Sequence, residues 1–161
     1  MIRPAERRDI PAMTEIYNEQ VRSGTATFDL EERSIGNRTA WFEEHTGKYV
    51  LLVYEAEDVV AGYASLSRYR VKPAYDSTAE LSVYVAPAFR GRGIGRALME
   101  ALLSRARADE SLHTVVSVIT EGNTVSCRLH ESLGFVHCGT VREAGRKFGR
   151  YIGIDTYQIM V

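Results

Sequence analysis

The chain has 161 residues, of which 45% are hydrophobic and 25% charged, values typical of one soluble globular domain. Its net charge of -1 provides no general positive field, so the composition excludes a protein that holds nucleic acid by bulk charge. The two cysteines, Cys127 and Cys138, belong to no CxxC pair or His/Cys cluster, so we expect neither a metal site nor a disulfide framework.

The cellular location is predicted from segments that the sequence lacks. The first nine residues are charged and contain no apolar stretch of the kind found in a signal peptide. Apolar runs such as residues 49–54 are far shorter than the roughly 20 residues of a membrane span. We therefore expect a cytoplasmic protein in a reducing compartment, with no membrane partner.

The first half of the chain predicts two helices followed by three strands. Asp9 can cap a helix that extends to Val21 with apolar residues at helical spacing. A second helix is predicted at residues 34–44, and Gly47 ends it. Strands are predicted from β-rich composition or strict apolar alternation at residues 49–56, 59–67 and 79–85, the first two forming a hairpin.

The second half alternates helices and strands. The most amphipathic helix is predicted at residues 94–107, with apolar residues mainly on one face. A buried strand is predicted next, then a short helix that Gly134 ends, then two closing strands, at residues 113–120, 123–133, 135–141 and 156–161. No repeat or linker divides the chain. The element order predicts one α/β domain over residues 1–161 with a mixed sheet.

A glycine-rich turn between a strand and a helix is the most informative segment. It has the sequence Arg90-Gly91-Arg92-Gly93-Ile94-Gly95-Arg96. The first amides of the following helix have no internal partner and lie at the positive end of its dipole. Glycines let a bulky anion approach the backbone closely, and the arginines add local positive charge. The segment therefore predicts a phosphate or pyrophosphate site.

Two common phosphate-binding motifs do not match this turn. A P-loop requires a lysine after its glycines, and none follows here. A dinucleotide-binding fingerprint requires a glycine at the position of Arg96. The pattern that remains is Arg-x-x-Gly-x-Gly, from Arg90 to Gly95. The alternative is a glycine-rich turn that only joins a strand to a helix.

This pattern and its surroundings resemble the GNAT superfamily of N-acetyltransferases. A strand precedes the turn, Asn123 follows the next strand, and Leu133-Gly134-Phe135 ends the next helix, in the order that the superfamily shows. The resemblance implies a single-domain α/β GNAT-like fold, with a mixed, mostly antiparallel central sheet flanked by helices. It also implies acetyl-CoA as co-substrate and no metal.

A closer resemblance covers nearly the whole chain. Residues 16–18, Asn37-Arg38 with Trp41-Phe42, and residues 74–80 and 144–151 are similar to the phosphinothricin and methionine sulfoximine N-acetyltransferases. Those enzymes acetylate the α-amine of glutamate-like compounds and form homodimers. The resemblance thus implies a small-molecule amine substrate and a homodimer.

The resemblance also implies which residues bind acetyl-CoA and which transfer protons. Backbone amides of the strand before the turn, the turn itself, and polar residues of the later helix would bind the cofactor: Val83, Tyr84, Val85, Arg90, Gly91, Arg92, Gly93, Ile94, Gly95, Arg96, Asn123 and Ser126. The strand amides would also stabilise the developing oxyanion. Glu80 would be the general base that removes a proton from the amine. His130 stands where many members have a tyrosine, and it is the candidate general acid.

The implied acceptor residues are fewer and less specific. Phe28, Arg70, Tyr75 and Thr78 would contact the acceptor, since an arginine can bind a carboxylate bidentately and an aromatic residue can pack against the substrate. Residues 147–151, with Lys147, Phe148 and Tyr151, could close the pocket from a partner subunit. Two alternatives remain. The acceptor could be a protein N-terminus or lysine, or the chain could be a non-catalytic CoA-binding or nucleotide-binding sensor.

Overall fold

A computed structural model describes all residues, 1–161, as seven strands and four helices. The strands are β1 (Ile2–Pro4), β2 (Leu51–Ala56), β3 (Val59–Arg68), β4 (Thr78–Val85), β5 (Thr114–Thr120), β6 (Val136–Lys147) and β7 (Arg150–Met160). The helices are α1 (Ile10–Ser23), α2 (Ile35–Glu43), α3 (Ile94–Arg107) and α4 (Thr124–Ser132). No helix has the length and apolar character needed to cross a membrane.

The strands form one mixed sheet in the order β1-β2-β3-β4-β5-β7-β6. Every neighbouring pair is antiparallel except β4 and β5, which run parallel. A parallel pair needs a crossover connection, and α3 supplies it between β4 and β5. The predicted mixed, mostly antiparallel sheet is therefore confirmed.

The parallel pair β4–β5 separates after three residues. Residues 78–80 of β4 pair with residues 114–116 of β5. β4 then continues to Val85 and β5 to Thr120 without pairing to each other. At the point of separation, the Ser117 hydroxyl donates a hydrogen bond to the Leu81 carbonyl oxygen over 3.1 Å. Beyond that bond, the two strands leave an opening in the middle of the sheet.

Alternation along β4 directs its side chains to two different layers. Leu81 and Val83 pack in the larger core with α3, whereas Tyr84 packs on the opposite face with α1 and α2. The larger core includes Leu52, Leu66, Leu81, Leu98, Met99, Leu102, Val115 and Phe135. The smaller core consists of Ile10, Met13, Ile16, Leu51, Val53 and Tyr63, with Trp41 and Phe42 packed against it.

The sequence predictions miss one strand and shorten two others. β1 is only three residues long, and it forms because it pairs with β2, which no local pattern reveals. β6 and β7 extend to residues 147 and 150, well beyond the predicted limits of 141 and 156. β6 is an exposed edge strand with an irregular register between Val141 and Gly145, so it lacks the apolar alternation that predicts strands.

Leu98 tests the larger core, because its side chain is completely buried under the sheet. We expect Leu98→Ala to lower the free energy of unfolding by about 2–5 kcal/mol, through lost burial and the cavity left behind. Urea denaturation followed by circular dichroism measures this change. Val71→Ala is the control, since Val71 is 84% exposed and its truncation should change stability by less than about 0.5 kcal/mol. Equal effects of the two variants would contradict the packing described for α3.

Candidate functional site

Backbone amides of β4 face the opening between β4 and β5. The pairing of Tyr63 with Tyr84 and the hydrogen bond from the Ala86 amide to the Ala61 carbonyl show that alternate residues of β4 are bonded to β3. The intervening residues, Val83 and Val85, therefore direct their amides toward the opening. The amide of Tyr84 is directed to β3 instead, and its ring packs against α1 at 5.4 Å from the Tyr17 ring centroid.

The turn before α3 presents a row of unpaired donors. None of the six consecutive amides from Gly91 to Arg96 donates a hydrogen bond within the chain. Gly91 and Gly93 have φ values of 76° and 77°, a left-handed conformation that favours glycine. No atom lies within 4 Å of where a Cβ would stand at either glycine. Donors, helix dipole and open space together make a cradle for an anion.

A groove of about 730 Å³ runs from this turn along β4 to α4, and we call it the β4–α3 groove. It brings together all of the predicted cofactor residues except Arg92: Val83, Tyr84, Val85, Arg90, Gly91, Gly93, Ile94, Gly95, Arg96, Asn123 and Ser126. The sequence prediction omitted other residues that line it: Gln20, Ala26, Phe89, Val125 and Leu129. These residues belong to no recognisable sequence motif, and only the tertiary structure places them at the groove.

Arg92 points away from the β4–α3 groove. Its guanidinium donates to the Glu57 carboxylate over 2.8 Å and lies 4.9 Å from the Phe89 ring centroid. Arg90 remains at the groove, where its Nε donates to the Val85 carbonyl oxygen over 3.1 Å. All three arginines predicted to add positive charge at this turn are ion-paired within the chain, Arg90 with Glu19, Arg92 with Glu57 and Arg96 with Glu100.

The start of α4 forms the wall opposite β4. The Asn123 side-chain oxygen accepts a hydrogen bond from the Ser126 amide over 3.2 Å, which caps α4. His130, one turn later, donates from Nδ1 to the Ser126 carbonyl over 2.8 Å. Its Nε2 is buried without a partner, and burial lowers the pKa of the ring. His130 is therefore neutral at pH 7, with the lone pair on Nε2.

Glu80 lies at the point where β4 and β5 separate, on the other face of the sheet. It lines a cavity of about 460 Å³ under α1 and α2, which we call the Glu80 pocket. Burial raises the pKa of its carboxyl, and no hydrogen bond or ion pair within the chain opposes that shift. Ser82 and Tyr84 line both this pocket and a narrow passage that reaches Asn123, Ser126 and His130.

The walls of the Glu80 pocket are aromatic and polar. The Tyr63 and Tyr84 rings stack at 5.3 Å, and the Trp41 ring meets Tyr63 edge-on at 6.0 Å. Burial raises the pKa of both tyrosines, so they stay neutral and can serve only as neutral hydrogen-bond groups. Arg38 lies buried among these rings. Tyr84 was predicted only as a cofactor residue, and the others were not predicted for the site, because aromatic residues in helices and strands are typical of an ordinary core.

The predicted acceptor residues are not brought to this pocket. The Phe28 ring packs beneath β6, where a Cβ on Gly145 would lie 2.5 Å from it. Arg70 lies against Tyr69 and Tyr75, at 5.0 and 5.3 Å from their ring centroids, outside the Glu80 pocket. Thr78, two residues before Glu80, pairs with β5 and does not line the pocket.

The three residues predicted to close the pocket from a partner differ in exposure. Lys147 is buried, and its ammonium donates to the carbonyl oxygens of Gln20 and Thr27 over 3.0 and 2.9 Å. Its contacts join β6 to the end of α1, a structural role. Phe148 and Tyr151 are exposed at the end of the β6–β7 hairpin.

Known proteins match this chain over most of its length. The model of the acetyltransferase (GNAT) family matches residues 10–135. A phosphinothricin N-acetyltransferase of Streptomyces coelicolor is 43% identical over 98% of this chain and 94% of its own. An L-methionine sulfoximine/L-methionine sulfone acetyltransferase of Pseudomonas paraeruginosa is 38% identical over 98% of this chain and 92% of its own.

Solved structures agree with these matches. A phosphinothricin acetyltransferase from Sinorhizobium meliloti in complex with acetyl-CoA has a TM-score of 0.96 at 34% identity, over 100% of this chain and 88% of its own. A ribosomal-protein-alanine N-acetyltransferase from Brucella melitensis also has a TM-score of 0.96, at 38% identity, over 100% of this chain and 99% of its own.

The chain belongs to the acetyltransferase (GNAT) family. It is an acetyl-CoA-dependent N-acetyltransferase, and the predicted α/β GNAT-like fold is confirmed. No cluster of His, Cys, Asp and Glu side chains is arranged to hold a metal ion.

The β4–α3 groove fits acetyl-CoA by its chemistry. The six free amides of the turn suit the pyrophosphate, because they offer donors at a helix N-terminus with no Cβ at Gly91 or Gly93. The free amides of Val83 and Val85 suit the amide groups of the pantetheine arm, which can pair with them as a further strand would. The apolar side chains between them suit its methylene groups.

Gly95 tests the β4–α3 groove, because a Cβ there would lie 3.5 Å from Leu129 and 3.7 Å from Val85. We expect Gly95→Leu to lower the affinity for acetyl-CoA by about tenfold or more, since its side chain would stand on the groove wall beside Leu129 and Val85 and occupy space that the cofactor needs. Isothermal titration calorimetry measures the affinity. Gly36→Leu is the matched control, because Gly36 is likewise the second residue of a helix but faces open space. Undiminished binding in Gly95→Leu would contradict this location for the cofactor.

Proposed function

We propose that the enzyme transfers acetyl from acetyl-CoA to the α-amine of a small amino-acid-like acceptor, of the phosphinothricin or methionine sulfoximine type. The observation that carries the proposal is Glu80, an unpaired, half-buried carboxylate in a cavity of about 460 Å³ that borders the β4–α3 groove at Tyr84. The substrate class is supported by the names of the two relatives that match the whole chain.

Glu80 is proposed as the general base. A free α-amine is mostly protonated at neutral pH, so a carboxylate must remove a proton, directly or through water, before the nitrogen can attack. Burial raises the pKa of Glu80, which makes its carboxylate a stronger base than an exposed one. No neighbouring cation in the chain offsets this effect, so the group is poised to accept a proton from a positively charged ammonium.

Direct transfer is proposed over a covalent acetyl-enzyme. Neither Cys127 nor Cys138 lines the Glu80 pocket or the β4–α3 groove, so no thiol is available as a nucleophile there. Among the pocket hydroxyls, Ser67 is bonded to a histidine, with its Oγ 2.9 Å from the His45 Nε2. Intact-protein mass spectrometry after mixing with acetyl-CoA alone separates the two routes. Rapid gain of one acetyl group on Ser67 would replace direct transfer with a covalent route.

The amides of Val83 and Val85 are proposed to orient the thioester. Acetyl-CoA supplies an activated acyl group whose carbonyl oxygen becomes negative as the amine attacks. Amides that are fixed in a strand and free of other partners stabilise that charge without reorganising. The amide of Tyr84 is directed to β3 and is not available for this role, and its ring lines the Glu80 pocket on the face of α1 and α2.

His130 is proposed to assist the departing thiolate. Its Nε2 carries a lone pair, because Nδ1 donates to the Ser126 carbonyl, so it must gain a proton before it can donate one. Since burial lowers its pKa, that proton has to arrive during the reaction. The thiolate of CoA can also leave unaided. An unchanged kcat in His130→Gln would remove this role.

A protein N-terminus is the second candidate acceptor. One solved relative, matched over 100% of this chain and 99% of its own, is named a ribosomal-protein-alanine N-acetyltransferase. The Glu80 pocket favours the first candidate, because a cavity of about 460 Å³ suits a free amino acid. The non-catalytic sensor is not proposed, because the chain is an N-acetyltransferase by family.

Assembly and location are proposed on separate grounds. The hairpin of β6 and β7 ends in exposed Phe148 and Tyr151, and Val141 is exposed further along the same edge strand, so this surface supports a homodimer. Sedimentation equilibrium that gives a monomer mass would contradict it. The two cysteines are free thiols, which supports a reducing cytoplasm as the location.

Glu80→Gln tests the base. We expect kcat to fall by about 100-fold or more with an unchanged affinity for acetyl-CoA, because the amide keeps the shape but cannot accept the proton. In the wild type, activity should fall as the pH decreases through the raised pKa of Glu80, since protonation removes the base. Stopped-assay kinetics across pH measure both effects. Glu110→Gln, at an exposed position, is the control. Full activity in Glu80→Gln would eliminate Glu80 as the base.

An acceptor comparison separates the two candidate functions. We expect thiol release from acetyl-CoA with methionine sulfone and phosphinothricin, and little with a peptide whose N-terminus is alanine, because the Glu80 pocket encloses a small molecule. Detection of free CoA measures the rates. The reverse preference would make the enzyme a protein N-terminal acetyltransferase.

A further inference from the structure

Arg38 of α2 is a buried cation without a counter-ion. Only 6% of the residue is exposed, and no carboxylate lies within ion-pair distance of its guanidinium. A guanidinium has five N–H donors, but the one hydrogen bond that Arg38 donates runs from Nη2 to the Tyr63 hydroxyl over 3.2 Å. Its Nε is buried and has no partner. Burying an unpaired charge costs free energy of folding unless another group pairs with it and accepts its hydrogen bonds.

Aromatic rings support this guanidinium but leave its donors free. Its central carbon lies 3.7 Å from the Trp41 ring centroid and 4.8 Å from that of Tyr17. Cation–π contacts stabilise the charge through the faces of the rings, yet they use none of the in-plane N–H groups. The rings therefore hold the guanidinium in place, while the N–H groups of Nη1 and one N–H of Nη2 remain free to donate.

Two other acids line the same cavity, and neither forms an ion pair with Arg38: Glu44 is exposed to solvent, and Asp29 is already paired. Asp29 accepts hydrogen bonds from Arg33, at 2.6 and 2.8 Å, and from the Tyr17 hydroxyl, at 2.5 Å. It therefore cannot serve Arg38 without giving up those partners. Arg38 lines the Glu80 pocket, so a molecule bound there can reach an unpaired cation and an unpaired carboxylate in one cavity.

We infer that Arg38 binds an acid group of the acceptor, and that the Glu80 pocket thus selects amines that also carry an acid. The inference rests on the proposed function and deepens it. The two unpaired charges match the opposite charges of an amino acid, with the ammonium directed to Glu80 and the acid to Arg38. A planar guanidinium binds a carboxylate or a phosphinate through two parallel hydrogen bonds, which a neutral amide cannot accept equally.

The acid group could be the α-carboxylate or a side-chain acid, and both have the same chemistry toward a guanidinium. Three acceptors distinguish them. Methionine sulfone carries only the α-carboxylate, the α-amide of phosphinothricin carries only the side-chain phosphinate, and the α-amide of methionine sulfone carries no acid. All three retain the α-amine that is acetylated.

The test compares wild type, Arg38→Met and Arg38→Lys on these acceptors, with Arg105→Met on the exposed face of α3 as the control. We expect Arg38→Met to lower kcat/KM by about 30-fold or more on the acceptor whose acid it binds, with little change on the acid-free amide. For each acceptor, the kcat/KM of the variant is divided by that of wild type, which cancels differences in amine reactivity between acceptors. Arg38→Lys should lose less, because it keeps the charge without the fork.

Two results would overturn the inference. An equal loss on all three acceptors means that Arg38 only supports the fold, and no loss on any means that it binds nothing there. Calorimetry with acetyl-CoA shows whether Arg38→Met is folded. If the variant is unfolded, the KM of wild type for methionine sulfone is compared with its KM for the acid-free amide. Equal KM values for the two acceptors would contradict the inference. Failure of the proposed function looks different, since wild type would then bind acetyl-CoA but acetylate none of the three, and both proposals would fall.

Discussion

The separation of β4 and β5 after Glu80 is the constraint on which the rest of the site depends. Paired strands satisfy each other's amides, and a sheet that stayed paired to Val85 would have no free donors in its middle. At the point of separation, the Ser117 hydroxyl donates a hydrogen bond to the Leu81 carbonyl oxygen, so the sheet opens without leaving that acceptor unsatisfied. The opening gives access to β4 from both faces, and one strand thereby borders two cavities.

The two cavities have opposite electrostatic character. The β4–α3 groove offers unpaired donors, from the turn before α3 and from the amides of Val83 and Val85, and it suits a long anionic molecule. The Glu80 pocket holds a carboxylate without a hydrogen bond and a guanidinium without a counter-ion. Unsatisfied groups cost stability, and these two line one cavity beside the β4–α3 groove.

Several charges outside the Glu80 pocket are paired within the chain. Arg3 binds Asp9 and Glu55, and Arg92 binds Glu57, each over less than 3 Å. Lys147 is buried as deeply as Arg38, but two backbone carbonyls accept hydrogen bonds from its ammonium. Arg38, in contrast, keeps N–H donors that nothing in the chain accepts. A buried cation with unused donors indicates a ligand site, whereas burial alone does not.

The sequence by itself determined the elements that local pattern controls. Apolar periodicity predicts α3, alternation predicts β4, and the glycines of residues 91–95 predict the anion site, because each depends on neighbours along the chain. Eleven of the twelve cofactor residues expected from resemblance line the β4–α3 groove. The exception is Arg92, whose side chain forms an ion pair with Glu57 in the turn between β2 and β3, which is distant in sequence.

Only the tertiary structure decided the walls of the Glu80 pocket and the lengths of the last strands. β6 exists because β7 pairs with it, and its exposed side chains leave no apolar pattern to find. The Glu80 pocket draws Tyr17, Arg38 and Tyr63 from α1, α2 and β3, so no window of sequence contains it. Whether an arginine has a counter-ion depends on residues that fold against it, and that is why Arg38 stands out only in three dimensions.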